Sequence, residues 1–404
     1  MRRQEYIYNI SNRQLVIRGT GKVAKQFFED YGAIYDIKLS TSNVSGDCLK
    51  GTQRIENKEL YQNKNKYYVI VCLDSRDDVF FELMSEGLRF GQDFMDYRLF
   101  LAIKQNRKIF LEVGQCELAL THYVLSNLSN LETEYSFFYY DEYKVLGIED
   151  KKPLLQTILE VNELIESADV FVYPVNLGAR DIYYKNLIEK THNTCVIVAV
   201  PLSTFEAYWP QDNKKNYYEI SKYYFDKLTS NMRVDVNMER ALEEGDDSII
   251  SKINSIDFYD VDVVNKGFER TFKKFEIIER KSNIKISDYY KRNYRVFPLY
   301  MDRGHISAEV VREYSRRILD YLKITYDYDE LECIDLSWYE QCHSEDPIYS
   351  CVEKVIGLPD KSMYRFVQGD RIIYLSRTEY LNRKFQIIKA GYMYRKGLDS
   401  GVLK

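Results

Sequence analysis

What this chain lacks narrows it before anything it contains. No two of its seven cysteines stand in a CxxC spacing, and they are scattered over 404 residues. An odd, dispersed set describes reduced thiols in a cytoplasmic protein rather than a disulfide framework. The four histidines, His122, His192, His305 and His343, form neither HxxxH nor HExxH. No metal site is therefore expected, and Cys342-His343 has no second pair to complete one. No apolar run is long enough for a membrane span, and the opening MRRQEYIYNI has no apolar signal-peptide segment. Charge of one sign is also missing: 57 basic and 62 acidic residues are well mixed, for a net −5. Nucleic-acid binding needs a concentrated basic face, so that class of partner is excluded. There are no repeats and no low-complexity tracts.

What remains is an ordinary globular composition, 45% hydrophobic and 29% charged, on a chain long enough for two or three domains. Tyrosine is abundant at 37 residues, often in tandem. The chain is organised around KIFLEVGQCELALTHYVLSNL, Lys108 to Leu128. An apolar run, Ile109 to Val113, ends in Gly114-Gln115-Cys116, and a helical pattern starts at once. A strand, a tight turn and a helix start would set Cys116 where helix N–H groups lack intrahelical partners and the dipole is positive. Such an end can lower a thiol pKa or hold an anion. A small cysteine packed behind the turn is the plainer alternative.

Ahead of that stretch, Leu15–Ile17 reads as a buried strand, and Gly19-Thr20-Gly21-Lys22-Val23-Ala24 fits a GxGxxA turn into a helix, 22–31. A strand over 34–39, a strand over 67–73 and a helix over 77–86 follow. Gly19 and Gly21 would let a phosphate approach the backbone, though no acidic residue after the second strand is placed for a ribose. Beyond residue 107, strands over 134–140, 168–174 and 194–201 alternate with helices over 154–167 and 181–191. Strands apolar on both faces imply a mainly parallel sheet with covering helices. Ligands then sit beyond the strands' carboxyl ends, where Cys116, 174–180 and 201–210 would cluster. Helices are expected over 219–228, 238–244, 247–254 and 268–282. After a polar turn, Met301 to His305, one more runs from Ser307, its N-cap, to Leu322. His305 is either a solvent-exposed loop residue or a base.

The first segment, through RGTGKVAKQF and YYVIVCLDSRDDVFFELMSEGLRFGQDF, resembles the nucleotide-binding-like N-terminal half of sugar acyltransferases of the PglD type. The remainder resembles the WcbI family of polysaccharide-biosynthesis enzymes. The residues carrying this are Gly114-Gln115-Cys116-Glu117, then Pro201, Phe205, Tyr208 and Pro210 in VAVPLSTFEAYWPQ. The stretch FERTFKKFEIIERKSNIKISDYYKRNYRVFPLYMDRGHISAEVV with His305, and the closing DPIYSCVEKVIGL and TEYLNRKF, complete it. The amides that flank the family's cysteine are altered, and Ile306 replaces the proline after its histidine.

The resemblance implies a two-domain α/β protein: a Rossmann-like unit, 1–106, and a WcbI-like domain, 107–404, with its own closing segment, 330–404. It further implies transfer of an acetyl group from acetyl-coenzyme A to a sugar hydroxyl of a capsule or surface polysaccharide precursor. His305 is expected as base, Asp302 as its orienting carboxylate, and Cys116 as acyl acceptor or as a residue that shapes the site. Gly114, Gln115, Glu117, Arg180 and Arg303 are expected around coenzyme A, the arginines on its phosphates. Cys116 and His305 are expected to approach each other. Glu117 disfavours a strongly acidic thiol. A Cys/His esterase and a non-catalytic module of a glycan-assembly complex remain as alternatives. A homo-oligomer is compatible with all three.

Overall fold

The computed structural model describes residues 2–40, 52–73, 77–146, 155–175, 180–202, 204–216, 233–368 and 371–399. The chain divides into two compact units, residues 1–199 and 200–404. The expected limit at 106/107 lies inside the first unit, where the chain passes from one sheet to another.

Unit 1 opens with helix α1 (Arg2–Ser11), followed by β1 (Gln14–Arg18), α2 (Lys22–Tyr31) and β2 (Lys38–Ser40). Next come α3 (Asn57–Gln62), β3 (Tyr67–Val71), α4 (Asp77–Ser85), β4 (Phe94–Asp96) and α5 (Tyr97–Lys104). These strands form a parallel sheet of order β2-β1-β3-β4. The second strand is shorter than the expected 34–39. Ile34 and Tyr35 donate their N–H groups to the Tyr31 carbonyl, so the chain turns off the end of α2 before it can extend. Gly19 has φ +137°, and a Cβ there would stand 2.4 Å from the Cys72 carbonyl oxygen. Close approach of β1 to β3 therefore demands glycine at that position.

A second sheet follows, built from β5 (Lys108–Gly114), α6 (Cys116–Ser126), α7 (Ser129–Glu134), β6 (Tyr135–Asp141), α8 (Glu142–Leu146), α9 (Leu155–Ile165), β7 (Val170–Pro174), α10 (Arg180–Ile188) and β8 (Val196–Val200). Its order is β6-β5-β7-β8, with β5 parallel to both neighbours. Ile109, Leu111 and Val113 share one buried cluster with Ile17, Ile70, Leu99 and Phe100 of the first half, so both sheets rest on a common core.

Unit 2 is mainly helical, with two antiparallel strand pairs, β9 (Asp212–Asn216) with β10 (Arg233–Asp235) and β11 (Tyr364–Gln368) with β12 (Arg371–Leu375). Its long helices are Val261–Glu279, Ala308–Leu322 and Arg377–Asp399. The first begins seven residues before the expected 268, because the apolar face continues through Val264. The helix expected over 219–228 lies outside the described residues. Phe205 stands at the centre of an aromatic core, with the rings of Tyr208, Phe268, Tyr290 and Tyr300 all within 6 Å. Ring pairs at these distances add to the stabilisation from burial itself.

Candidate functional site

In unit 1, register places Gly114 of β5 beside Asp141 of β6, and Gln115 caps α6. Cys116, the first residue of α6, is exposed, and its thiol donates to Glu117 Oε2 at 3.4 Å. Glu117 itself is buried. The Tyr139 hydroxyl reaches the carbonyls of Gly114 and Gln115 at 3.0 and 3.1 Å, which holds the turn from below. Burial pushes the Tyr139 phenol far up, and the charges of Asp141, Cys116 and Glu117 add to it. Beside the turn lies Glu142, fully buried, which accepts from Gln115 Nε2 and from the Tyr184 hydroxyl, each at 2.5 Å. Arg180 completes this cluster as the ion partner of Glu142. A second buried carboxylate, Glu112, meets His122 Nδ1 at 2.7 Å and Thr121 Oγ1 at 3.3 Å. Burial raises the Glu112 pKa, against the pull of His122.

At the earlier turn, Gly21 caps α2 with open space where a side chain would be. Arg18, at the carboxyl end of β1, is buried and committed to Glu82 at 2.7 Å and Ser40 at 2.9 Å.

In unit 2 the polar turn forms a tight hairpin. Met301 N–H donates to the His305 carbonyl at 2.8 Å, and Tyr300 bridges Ile306. Asp302 turns back on it: Oδ1 accepts from the N–H groups of Gly304 (2.7 Å) and His305 (3.0 Å), and Oδ2 lies 2.7 Å from His305 Nδ1. This contact assigns the proton to Nδ1 and makes Nε2 the basic nitrogen. Burial alone would raise the Asp302 pKa, but the His305 charge and these hydrogen bonds outweigh it and hold the carboxyl below its usual range. His305 is buried, at 6% exposure, so the solvent-exposed loop reading is corrected. Ser307 stands at the expected N-cap, yet its hydroxyl is buried without a partner instead of capping the helix. Arg303 is likewise buried, 2.7 Å from Glu206.

A cavity of about 260 Å³ borders the hairpin, lined by Phe297, Tyr300, Leu358 and Tyr364 and by the carboxylates of Glu353 and Asp360. Burial pushes Glu353 up to about 7, against the pull of Arg377.

The structure thus brings Asp302 to His305, and Gln115 and Arg180 to one carboxylate. Cys116 belongs to unit 1 and His305 to unit 2. Among the described residues, no group of three or more His, Cys, Asp or Glu is placed to hold a metal ion. Nor is any helix long and apolar enough to cross a membrane. Glu142, Tyr184, Tyr139 and the Glu112–His122 pair carry no site role in the sequence reading, and His343 enters there only with Cys342, as half of a metal site. A carboxylate directly after the β6 run EYSFFYYD was the one local signal for Glu142.

No curated protein matches the chain. A family model does: residues 151–326 match the polysaccharide biosynthesis enzyme WcbI. That stretch, somewhat under half of the chain, is similar to the WcbI family. Asp302, Arg303 and His305 all lie within it, as does Arg180. A solved structure of WcbI, a polysaccharide biosynthesis enzyme, is similar over 71% of this chain and 93% of that one, with a TM-score of 0.50 and 15% identity. That structure is the native protein without a disulfide bond between coenzyme A and one of its cysteines. At this identity the likeness speaks for the α/β fold, and the family match supports an enzyme of polysaccharide biosynthesis.

Proposed function

We propose that the chain is a coenzyme-A-dependent acyltransferase, moving an acetyl group to a sugar hydroxyl during bacterial surface-polysaccharide or capsule synthesis. The observation that carries this is the Asp302–His305 contact at 2.7 Å, within the segment matched to the WcbI family. A sugar hydroxyl is a weak nucleophile until a base takes its proton. His305 Nε2 is that base, and the Asp302 carboxylate fixes the tautomer and balances the imidazolium that forms. The hydroxyl oxygen bonds to the thioester carbonyl carbon, the carbon–sulfur bond breaks, and the imidazolium returns the proton to the departing coenzyme A thiolate.

In unit 1, the start of α6, where the first N–H groups of a helix have no intrahelical acceptor, is proposed as an anion-binding turn for coenzyme A. Cys116 on that turn either shapes the site or takes the acyl group itself. The WcbI structure named with coenzyme A supports this choice of donor. Arg180 and Arg303 each pair with a carboxylate, so coenzyme A phosphates would compete for them instead of meeting spare charge. The cavity beside the hairpin, with aromatic walls and carboxylate acceptors, suits one sugar ring, being below the ~300 Å³ of pockets for drug-sized ligands.

The test is release of free thiol from acetyl-coenzyme A, followed with and without sugar acceptors. Release that depends on an acceptor supports transfer. Release without one supports an esterase, and no release with no binding supports a non-catalytic module.

A further inference from the structure

The ring of His343 lies against that of His305, centroids 4.1 Å apart and planes 46° off parallel. This is no chance contact of two loose side chains. His343 Nδ1 donates to the Tyr339 carbonyl at 2.9 Å, which fixes its ring, and the Tyr339 ring covers it at 4.8 Å. The Tyr339 hydroxyl in turn donates to the Ile306 carbonyl at 2.9 Å, at the end of the hairpin that carries His305. Arg365 makes a third tie, donating to the His343 carbonyl at 2.9 Å and reaching Met301 Sδ at 3.2 Å. Helix Ser337–Gln341, the residues after it and strand β11 therefore all hold the two imidazoles in one register.

We propose that His343 is a positioning residue for His305: the abutting ring fixes the plane of the base, and the two imidazoles hold a single positive charge between them when one of them takes up a proton. Two cations at this separation repel strongly, so protonation of one ring opposes protonation of the other. Once a proton is taken up, Asp302 keeps the charge on His305, because its carboxylate touches His305 and not His343. The other groups that face the pair are the Arg365 guanidinium and the Tyr339 phenol, with Tyr380 acting on Asp302. Burial, and then the His305 charge, lower the His343 pKa, in keeping with a neutral ring behind the base. The consequence is a pair that resists taking a second charge, so His343 stays a neutral neighbour while His305 takes up and releases the proton.

This inference rests on His305 being the base of the proposed reaction, but its primary test needs no turnover. The chain has four histidines, so each imidazole signal in a proton–carbon correlation spectrum is assigned by the variant that deletes it. In the full-length protein, His305 and His343 should each show two inflections with pH, one per proton of the pair. His343→Phe keeps a ring against His305, and His305 should then titrate in a single step. His343→Gln keeps a donor for the Tyr339 carbonyl but loses the ring. There kcat should fall on the order of ten- to a hundred-fold with KM for the acyl donor unchanged, as misalignment of a catalytic group does. In His343→Phe, kcat should stay within a few-fold of the parent, with an altered acid limb of the pH–rate profile. A single-step titration of His305 in the parent, unmoved in His343→Phe, overturns the proposal. So does a His343→Gln variant with an unchanged pH–rate profile. A protein with coupled titrations and no transferase activity would sink the acyltransferase reading alone.

Discussion

At the scale of single residues, the hairpin of unit 2 gives the sharpest expectation. His305→Ala should lower acyl transfer by roughly two to four orders of magnitude, the range for loss of a general base, in a steady-state thiol-release assay. Cys116→Ser separates the two chemical routes. A large loss without an acyl-enzyme by mass spectrometry marks a covalent route, and a mild loss marks direct transfer. Glu353 carries a stability prediction with a definite sign. Its pKa rises from 4.5 unfolded to about 7 in the fold. A raised carboxyl binds its proton more tightly when folded, so its contribution is complete below pH about 4.5 and lost as pH climbs through about 7. Urea midpoints measured across that window should decline more steeply in the parent than in Glu353→Gln, which is uncharged throughout.

Between neighbouring elements, the buried charge of Glu142 matters most. It stands at the start of α8 and is met from the β5–α6 turn by Gln115 and from α10 by Arg180 and Tyr184. Glu142→Ala strands a half-buried guanidinium and a buried phenol at once. The expected loss is about 3–5 kcal/mol in denaturant unfolding, the usual result of removing one member of a buried pair. Arg180→Met in the Glu142→Ala background should recover part of that loss. The β1–α2 turn offers a purely steric case. Gly19→Ala puts a Cβ against the Cys72 carbonyl at an unfavourable φ, and should cost roughly 1–3 kcal/mol, read as a lower melting temperature.

For the molecule as a whole, the expectation is that acetyl-coenzyme A binds measurably by calorimetry at millimolar ligand or below. A flat titration would leave the WcbI-type fold in place and withdraw the acyl donor. Much of that fold was legible. Strands β1, β3, β5, β7 and β8 announce themselves as short apolar runs, because a parallel sheet covered on both faces needs apolar side chains at every position. Helix α1 and strand β4 were not legible. Among the residues of RRQEYIYNIS whose burial is described, only Tyr6 and Ile10 are deeply buried, and a three-residue strand carries too little pattern to stand out.

The sequence by itself determined the alternation of strand and helix, the glycine turns at Gly19 and Gly114, and the short link from Asp302 to His305. Each is set within a few residues by side-chain period, by backbone freedom, or by a carboxylate able to fold back on its own turn. Tertiary structure alone decided that Glu142 would gather Gln115, Tyr184 and Arg180, and that Arg303 would be spent on Glu206. It alone brought His343 onto His305, from a separate helix end held by Tyr339 and Arg365. Those partners lie tens of residues apart, and no local pattern encodes a contact that exists only once the core has closed. The physical reason is desolvation. A buried charge or imidazole takes whichever partner the packed core delivers, and the core is settled by apolar side chains elsewhere in the chain.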